Sequence, residues 1–135
     1  MKKRSELKIV IVDDIEKKTD YIDCYLFEQK IYEVDYFTCM NPALKYIIEN
    51  KNEISGIILD LGFCTYEDSN DWNQYKGLDL AEKLLKKNIN IPILINSSTE
   101  VLTRKIPPSV FGQMFTTNDT ETLEKFITFL ELKEP

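Results

Sequence analysis

The chain has no histidine among its 135 residues. That absence excludes Ser-His-Asp triads, imidazole metal ligands and histidine proton shuttles. It also excludes a role as a histidine phosphodonor. Cysteine is scarce and odd in number: Cys24, Cys39 and Cys64, with no Cys-x-x-Cys pair. Neither a disulfide framework nor a thiolate zinc site follows from that pattern. Cys24 and Cys39 are expected in or near the core. Cys64 is expected in a loop, with nothing basic enough nearby to favour a thiolate. With 4 glycines and 5 prolines the chain is neither fibrous nor disordered. No apolar run approaches the length of a membrane-spanning helix. The first apolar run is short, contains Lys8 and ends in acids, unlike a secretory signal. Lys and Arg (17) are outnumbered by Asp and Glu (23), for a net charge of −6. Nucleic-acid binding rests on Lys/Arg neutralisation of phosphates, so neither nucleic acid nor membrane is an expected partner. The one basic cluster, Lys2-Lys3-Arg4, reads as a solvated tail.

What is present is a set of apolar runs that end in chemistry. Leu7-Lys8-Ile9-Val10-Ile11-Val12 ends at Asp13-Asp14. Gly56-Ile57-Ile58-Leu59 ends at Asp60. Ile91-Pro92-Ile93-Leu94-Ile95 leads to Ser97-Ser98. Short continuous apolar runs of this kind read as buried strands. In an open parallel sheet the carboxyl ends of the strands line one edge, where sites form. Three carboxylates gathered there repel one another unless a cation neutralises them. Oxygen-only ligands suit a hard divalent ion, Mg²⁺ or Mn²⁺.

Between these runs the pattern turns helical. Residues 15–30 place Ile15, Ile22 and Leu26 on one face, with Asp14 as the cap. Residues 31–38 alternate as a strand. Asn41-Pro42 opens a helix with cap and first-turn proline, its buried stripe Ala43, Leu44, Ile47 and Ile48. A polar stretch, 61–76, holds Trp72 and Tyr75 among acids. A helix over 77–88 buries Leu78, Ala81, Leu84 and Leu85. Pro107-Pro108 limits any helix over 99–109. A strand over 110–117 and a helix over 119–132, with Leu123, Phe126, Ile127 and Leu130 inward, complete the chain. Strands alternating with helices predict a doubly wound five-stranded parallel sheet, order 2-1-3-4-5, as one α/β domain with its core over 7–132.

The chain resembles the receiver domains of two-component response regulators, the CheY-like (βα)5 branch of the flavodoxin-like folds. The resemblance lies in Ile11-Val12-Asp13-Asp14, in Ile57-Ile58-Leu59-Asp60, in the helix start Gly77-Leu78-Asp79-Leu80, and in Ile91-Pro92-Ile93-Leu94-Ile95-Asn96-Ser97-Ser98. It implies that Asp60 is the phosphoacceptor. It implies that Asp13, Asp14 and Asp60 hold Mg²⁺ (or Mn²⁺) with the backbone carbonyl of Gly62, and that the Ser97 hydroxyl binds a phosphoryl oxygen and moves as the switch. It further implies a cytoplasmic, stand-alone signalling protein, not an enzyme. A histidine kinase or phosphotransfer protein would be the phosphoryl donor, and a downstream protein the partner.

The chain departs from the family pattern in three places. The family lysine of the fifth strand falls on Thr116 and its switch aromatic on Gln113; slipping the register by two gives Met114 and Phe111, which restores the aromatic but not the lysine. Lys105, upstream, is a conceivable substitute. The step from Asp60 to Gly77 is 17 residues, longer than the family's, and the inserted stretch reads as a site cover, a second cation site, a partner surface or a solvated loop. The segment between the fourth and fifth strands is short.

The resemblance therefore leaves three readings. The first is a phosphoacceptor receiver. The second is a pseudo-receiver that binds proteins without being phosphorylated. The third, a Mg²⁺-dependent phosphohydrolase, is weakened because Asp60-Leu61-Gly62 lacks a second aspartate. The plainer alternatives are a helix cap and solvated acid at Asp13-Asp14, turn chemistry at Ser97-Ser98, and loop packing at Trp72 and Tyr75.

Overall fold

In a computed structural model, which describes residues 1–98, 106–116 and 118–133, five strands form one parallel sheet. They are β1 (Lys8–Val12), β2 (Glu33–Phe37), β3 (Gly56–Leu59), β4 (Ile93–Asn96) and β5 (Val110–Met114), in the order β2-β1-β3-β4-β5. The helices are α1 (Asp20–Glu28), α2 (Met40–Glu49), α3 (Lys76–Lys86) and α4 (Thr120–Leu132). The predicted order and class are both found. Residues 99–105 of the β4–β5 connection, Lys105 among them, lie outside the described residues.

The three central strands, β1, β3 and β4, are nearly continuous apolar runs because both faces of the sheet are covered there. Successive side chains point to opposite faces, and the burial follows that rule. Val10, Val12, Ile57, Leu59, Ile93 and Ile95 pack with α2 and α3 through Ala43, Ile47, Leu78, Ala81 and Leu84. Ile9, Ile11, Ile58, Leu94 and Met114 pack with α1 and α4 through Ile22, Leu26, Leu123, Phe126, Ile127 and Leu130. Burying each large side chain contributes roughly 1.5–3 kcal/mol. No described helix is long and apolar enough to cross a membrane.

Several local expectations are corrected. Ile15 is exposed, not part of a helical stripe. It sits in extended conformation ahead of a 3-10 turn, Glu16–Thr19, and α1 begins only at Asp20. Asp14 therefore caps no helix. Leu85 is exposed and Leu80 is buried in its place, since α3 presents its 77, 78, 80, 81 and 84 positions inward. Leu44 and Ile48 are half-buried at the margin of α2. Cys24 is exposed, not core. Arg4 is no solvated tail residue: its guanidinium pairs with Glu124 and Glu131 of α4, at 2.9 Å for Glu131. The pairing docks the N-terminus against that helix.

Candidate functional site

Sheet register sets the depth at which each side chain emerges. Val12, Leu59, Ile95 and Gln113 form one row across β1, β3, β4 and β5. Asp13 and Asp60 stand one residue beyond that row, Ser97 two and Thr116 three. The backbone continues the ladder past the strand ends, with Asp13 N–H bonded to Phe37 O, Asp60 N–H to Val12 O and Ser97 N–H to Met114 O, at 2.8–3.0 Å. Carboxylate oxygens of Asp13, Asp14 and Asp60, one from each, lie within 4.8 Å of one another. Asp13 is 1% exposed and Asp60 7%, whereas Asp14 faces solvent.

Each acid is held differently. Asp13 Oδ1 accepts the Ile15 N–H at 2.9 Å. Its Oδ2 is buried and accepts no hydrogen bond. Asp60 Oδ1 accepts the Leu61 N–H at 2.8 Å. Asp14 Oδ2 accepts the indole N–H of Trp72 at 3.0 Å. Burial pushes the Asp13 carboxyl up to about 6, the Asp60 charge adding to the rise and the Ile15 N–H and Lys18 opposing it. Burial also raises Asp60, against Lys18 and the Leu61 N–H.

Lys18 was not among the sequence candidates. Its ammonium lies 3.5 Å from Asp13 Oδ2 and 3.2 Å from Asp60 Oδ2. Burial opposes its charge, but the pull of Asp60 and then Asp13 outweighs it and raises the Lys18 pKa. The available signal was weak: a lysine pair four residues past the acids, which a helix starting at Ile15 would treat as solvated. The 3-10 turn instead brings Lys18 over the sheet edge.

The 61–76 stretch is no freely solvated loop. Leu61 and Phe63 are buried in the α2–α3 layer. Cys64 O and Thr65 O accept the first N–H groups of α2, Met40 N at 2.8 Å and Asn41 N at 2.9 Å, which satisfies helix-end donors. Asp71 clasps the outer part, accepting Thr65 N–H at 2.9 Å, Ser69 O–H at 2.6 Å and Lys76 Nζ at 3.2 Å. Ser69 and then Thr65 hold its carboxyl well below the usual range. Trp72 folds back over Gly62: a Cβ at Gly62 would lie 2.3 Å from the indole ring. Trp72 thus touches both Asp14 and Gly62, two of the predicted metal-binding positions, as well as packing on the domain. Gly77 is required for another close approach, since a Cβ there would sit 2.1 Å from the Asp60 carbonyl oxygen.

On the far side, Gln113 is half-buried and its amide donates to the Ser97 carbonyl at 2.8 Å. Ser97 itself is buried. Thr116 and Phe115 are exposed beyond the end of β5. The predicted positions thus lie along one edge of the sheet, with an oxygen from each of the three acids within 4.8 Å of the others. The donor set is oxygen-only and one buried carboxylate oxygen accepts no hydrogen bond, so these residues fit a hard divalent cation.

No protein-family model matches this sequence, and no curated protein matches it. Solved structures do. The BeF3-activated N-terminal receiver domain of RstA from Klebsiella pneumoniae superposes with a TM-score of 0.68 at 20% identity, over 91% of this chain and 97% of that one. A response regulator receiver domain from Clostridium thermocellum gives 0.66 at 20% identity, over 92% and 93%. The receiver domain of the histidine kinase CKI1 from Arabidopsis thaliana, complexed with Mg²⁺ and BeF3⁻, gives 0.54 at 14%, over 72% and 69%. With five parallel strands in the order 2-1-3-4-5 and an acidic cluster at their carboxyl edge, the chain has the CheY-like fold of response regulator receiver domains.

Proposed function

We propose that this protein is a phosphoacceptor signalling domain in which Asp60 accepts a phosphoryl group. The observation that carries the reading is the convergence of Asp13, Asp14 and Asp60, with Asp13 Oδ2 buried and without a hydrogen bond. Asp13, Asp14, Asp60 and the Gly62 carbonyl would hold Mg²⁺ or Mn²⁺, which when bound supplies charge neutralisation for the phosphoryl oxygens. The donor is a phosphohistidine on a kinase or phosphotransfer protein, since this chain has no histidine of its own. An Asp60 carboxylate oxygen attacks phosphorus and the P–N bond breaks. The imidazole nitrogen leaves with the bonding pair and an acyl phosphate remains. The Ser97 hydroxyl would donate to a phosphoryl oxygen. The added charge of about −1.5 to −2 would shift the β4–β5 edge, where Gln113 holds the Ser97 carbonyl, and a downstream protein would read that surface.

The test is incubation with acetyl phosphate and Mg²⁺ followed by intact mass measurement. One phosphoryl adduct is expected, absent in Asp60→Asn; a wild-type protein that gains no adduct refutes the proposal. A specific observation favours the pseudo-receiver as the second reading: Lys18 already pairs with both Asp13 and Asp60, and Thr116 supplies no cation from the β5 side. A protein-binding module needs nothing more from this edge.

A further inference from the structure

Two carboxylate oxygens of the acidic edge, Asp13 Oδ2 and Asp60 Oδ2, meet the same ammonium. The remaining oxygens that bond are turned elsewhere: Asp13 Oδ1 to Ile15 N–H, Asp60 Oδ1 to Leu61 N–H and Asp14 Oδ2 to Trp72. Lys18 therefore stands where a cation shared by Asp13 and Asp60 would bind. We propose that Lys18 is a tethered stand-in for the divalent ion, pairing with Asp13 and Asp60 in the metal-free protein and giving way when a metal enters. The proposal rests on the reading of these acids as the metal-binding residues.

Three features support it. Asp13 Oδ2 is closed to water and accepts no hydrogen bond, and a buried charge left without a counter-ion is costly. The pairing is loose: 3.5 and 3.2 Å exceed the usual 2.7–2.9 Å of a charge-assisted hydrogen bond, whereas a hard divalent ion draws carboxylate oxygens to about 2.0–2.6 Å. The Lys18 side chain is 32% exposed, so a path to solvent is open when it is displaced. An ammonium and a divalent ion on the same two oxygens repel each other, which makes the two occupants alternatives.

A protein whose metal-competent state is populated at about 1–10% shows apparent affinity reduced by that fraction. Lys18→Met should accordingly bind Mg²⁺ or Mn²⁺ roughly ten- to hundredfold more tightly than wild type. It should also melt at a lower temperature in EDTA and gain more from added metal. The experiment is calorimetric titration of the whole chain with MgCl2 and MnCl2, paired with thermal melts in EDTA and in metal. Lys18→Gln, which keeps hydrogen-bond donors but removes the charge, gives the same readout if the methionine variant does not fold. Equal or weaker metal binding by the variants, with wild type binding well, overturns the proposal and leaves the metal reading intact. Binding by the variants but not by wild type supports the proposal and removes phosphoacceptance from the natural chain. Binding by none of them overturns both.

Discussion

Replacing Asp13 with asparagine should stabilise the metal-free protein at neutral pH. Asp13 is 1% exposed, and burial, followed by repulsion from Asp60, pushes its carboxyl from 3.8 to about 6. A folded-state pKa above the unfolded one means that folding favours the protonated acid. The contribution is therefore fully present below the unfolded value and is lost as pH rises through about 6. At about 1.4 kcal/mol per pH unit the swing is about 3 kcal/mol. Asparagine stays neutral throughout and keeps an oxygen for the Ile15 N–H. Urea denaturation of both proteins in EDTA, from about pH 4 to about pH 7.5, measures the difference. The variant should gain on wild type by up to about 3 kcal/mol across that range. Asp71, Asp119 and Glu124, whose pKa values are lowered, lose stability at the acid end in both proteins and cancel. Added Mg²⁺ at neutral pH should narrow the gap by stabilising wild type. A wild-type-to-variant difference that is flat with pH refutes the account of Asp13 as a strained, buried carboxylate.

Gly77→Ala should destabilise the fold by about 1–3 kcal/mol in urea, because its Cβ would fall 2.1 Å from the Asp60 carbonyl oxygen. Gly62→Ala should lift Trp72 away, its Cβ meeting the indole at 2.3 Å; acrylamide quenching of tryptophan emission should rise, since the chain has 1 tryptophan. Asp71→Ala should open the clasp around Thr65, Ser69 and Lys76, seen as faster amide exchange over 64–76 with the sheet core unchanged.

Much of the fold was legible because its signals are local. Continuous apolar runs mark strands covered on both faces, and alternation with helices fixes a parallel sheet. Leu123, Phe126, Ile127 and Leu130 were readable from spacing alone, and all four are buried. Ile15 failed because periodicity assumes the helix has already begun, and a 3-10 turn intervenes. Leu85 failed because the inward stripe of α3 is narrower than its apolar content. The resemblance to receivers, carried by the order of acids and hydroxyl, led to the same fold that the solved structures share.

The sequence by itself determined that three acids end two strands on one edge of a parallel sheet, since strand order and direction follow from the chain pattern. It also determined that no lysine stands at Thr116. Tertiary structure decided what answers those acids. Lys18 reaches Asp13 and Asp60 because a tight turn redirects the chain after β1. Trp72 reaches Asp14 because buried Leu61 and Phe63 anchor the inserted stretch and Asp71 closes it. Both contacts join residues through turns whose direction no periodicity encodes, so the counter-ion and the cover of this site appear only when the chain is folded.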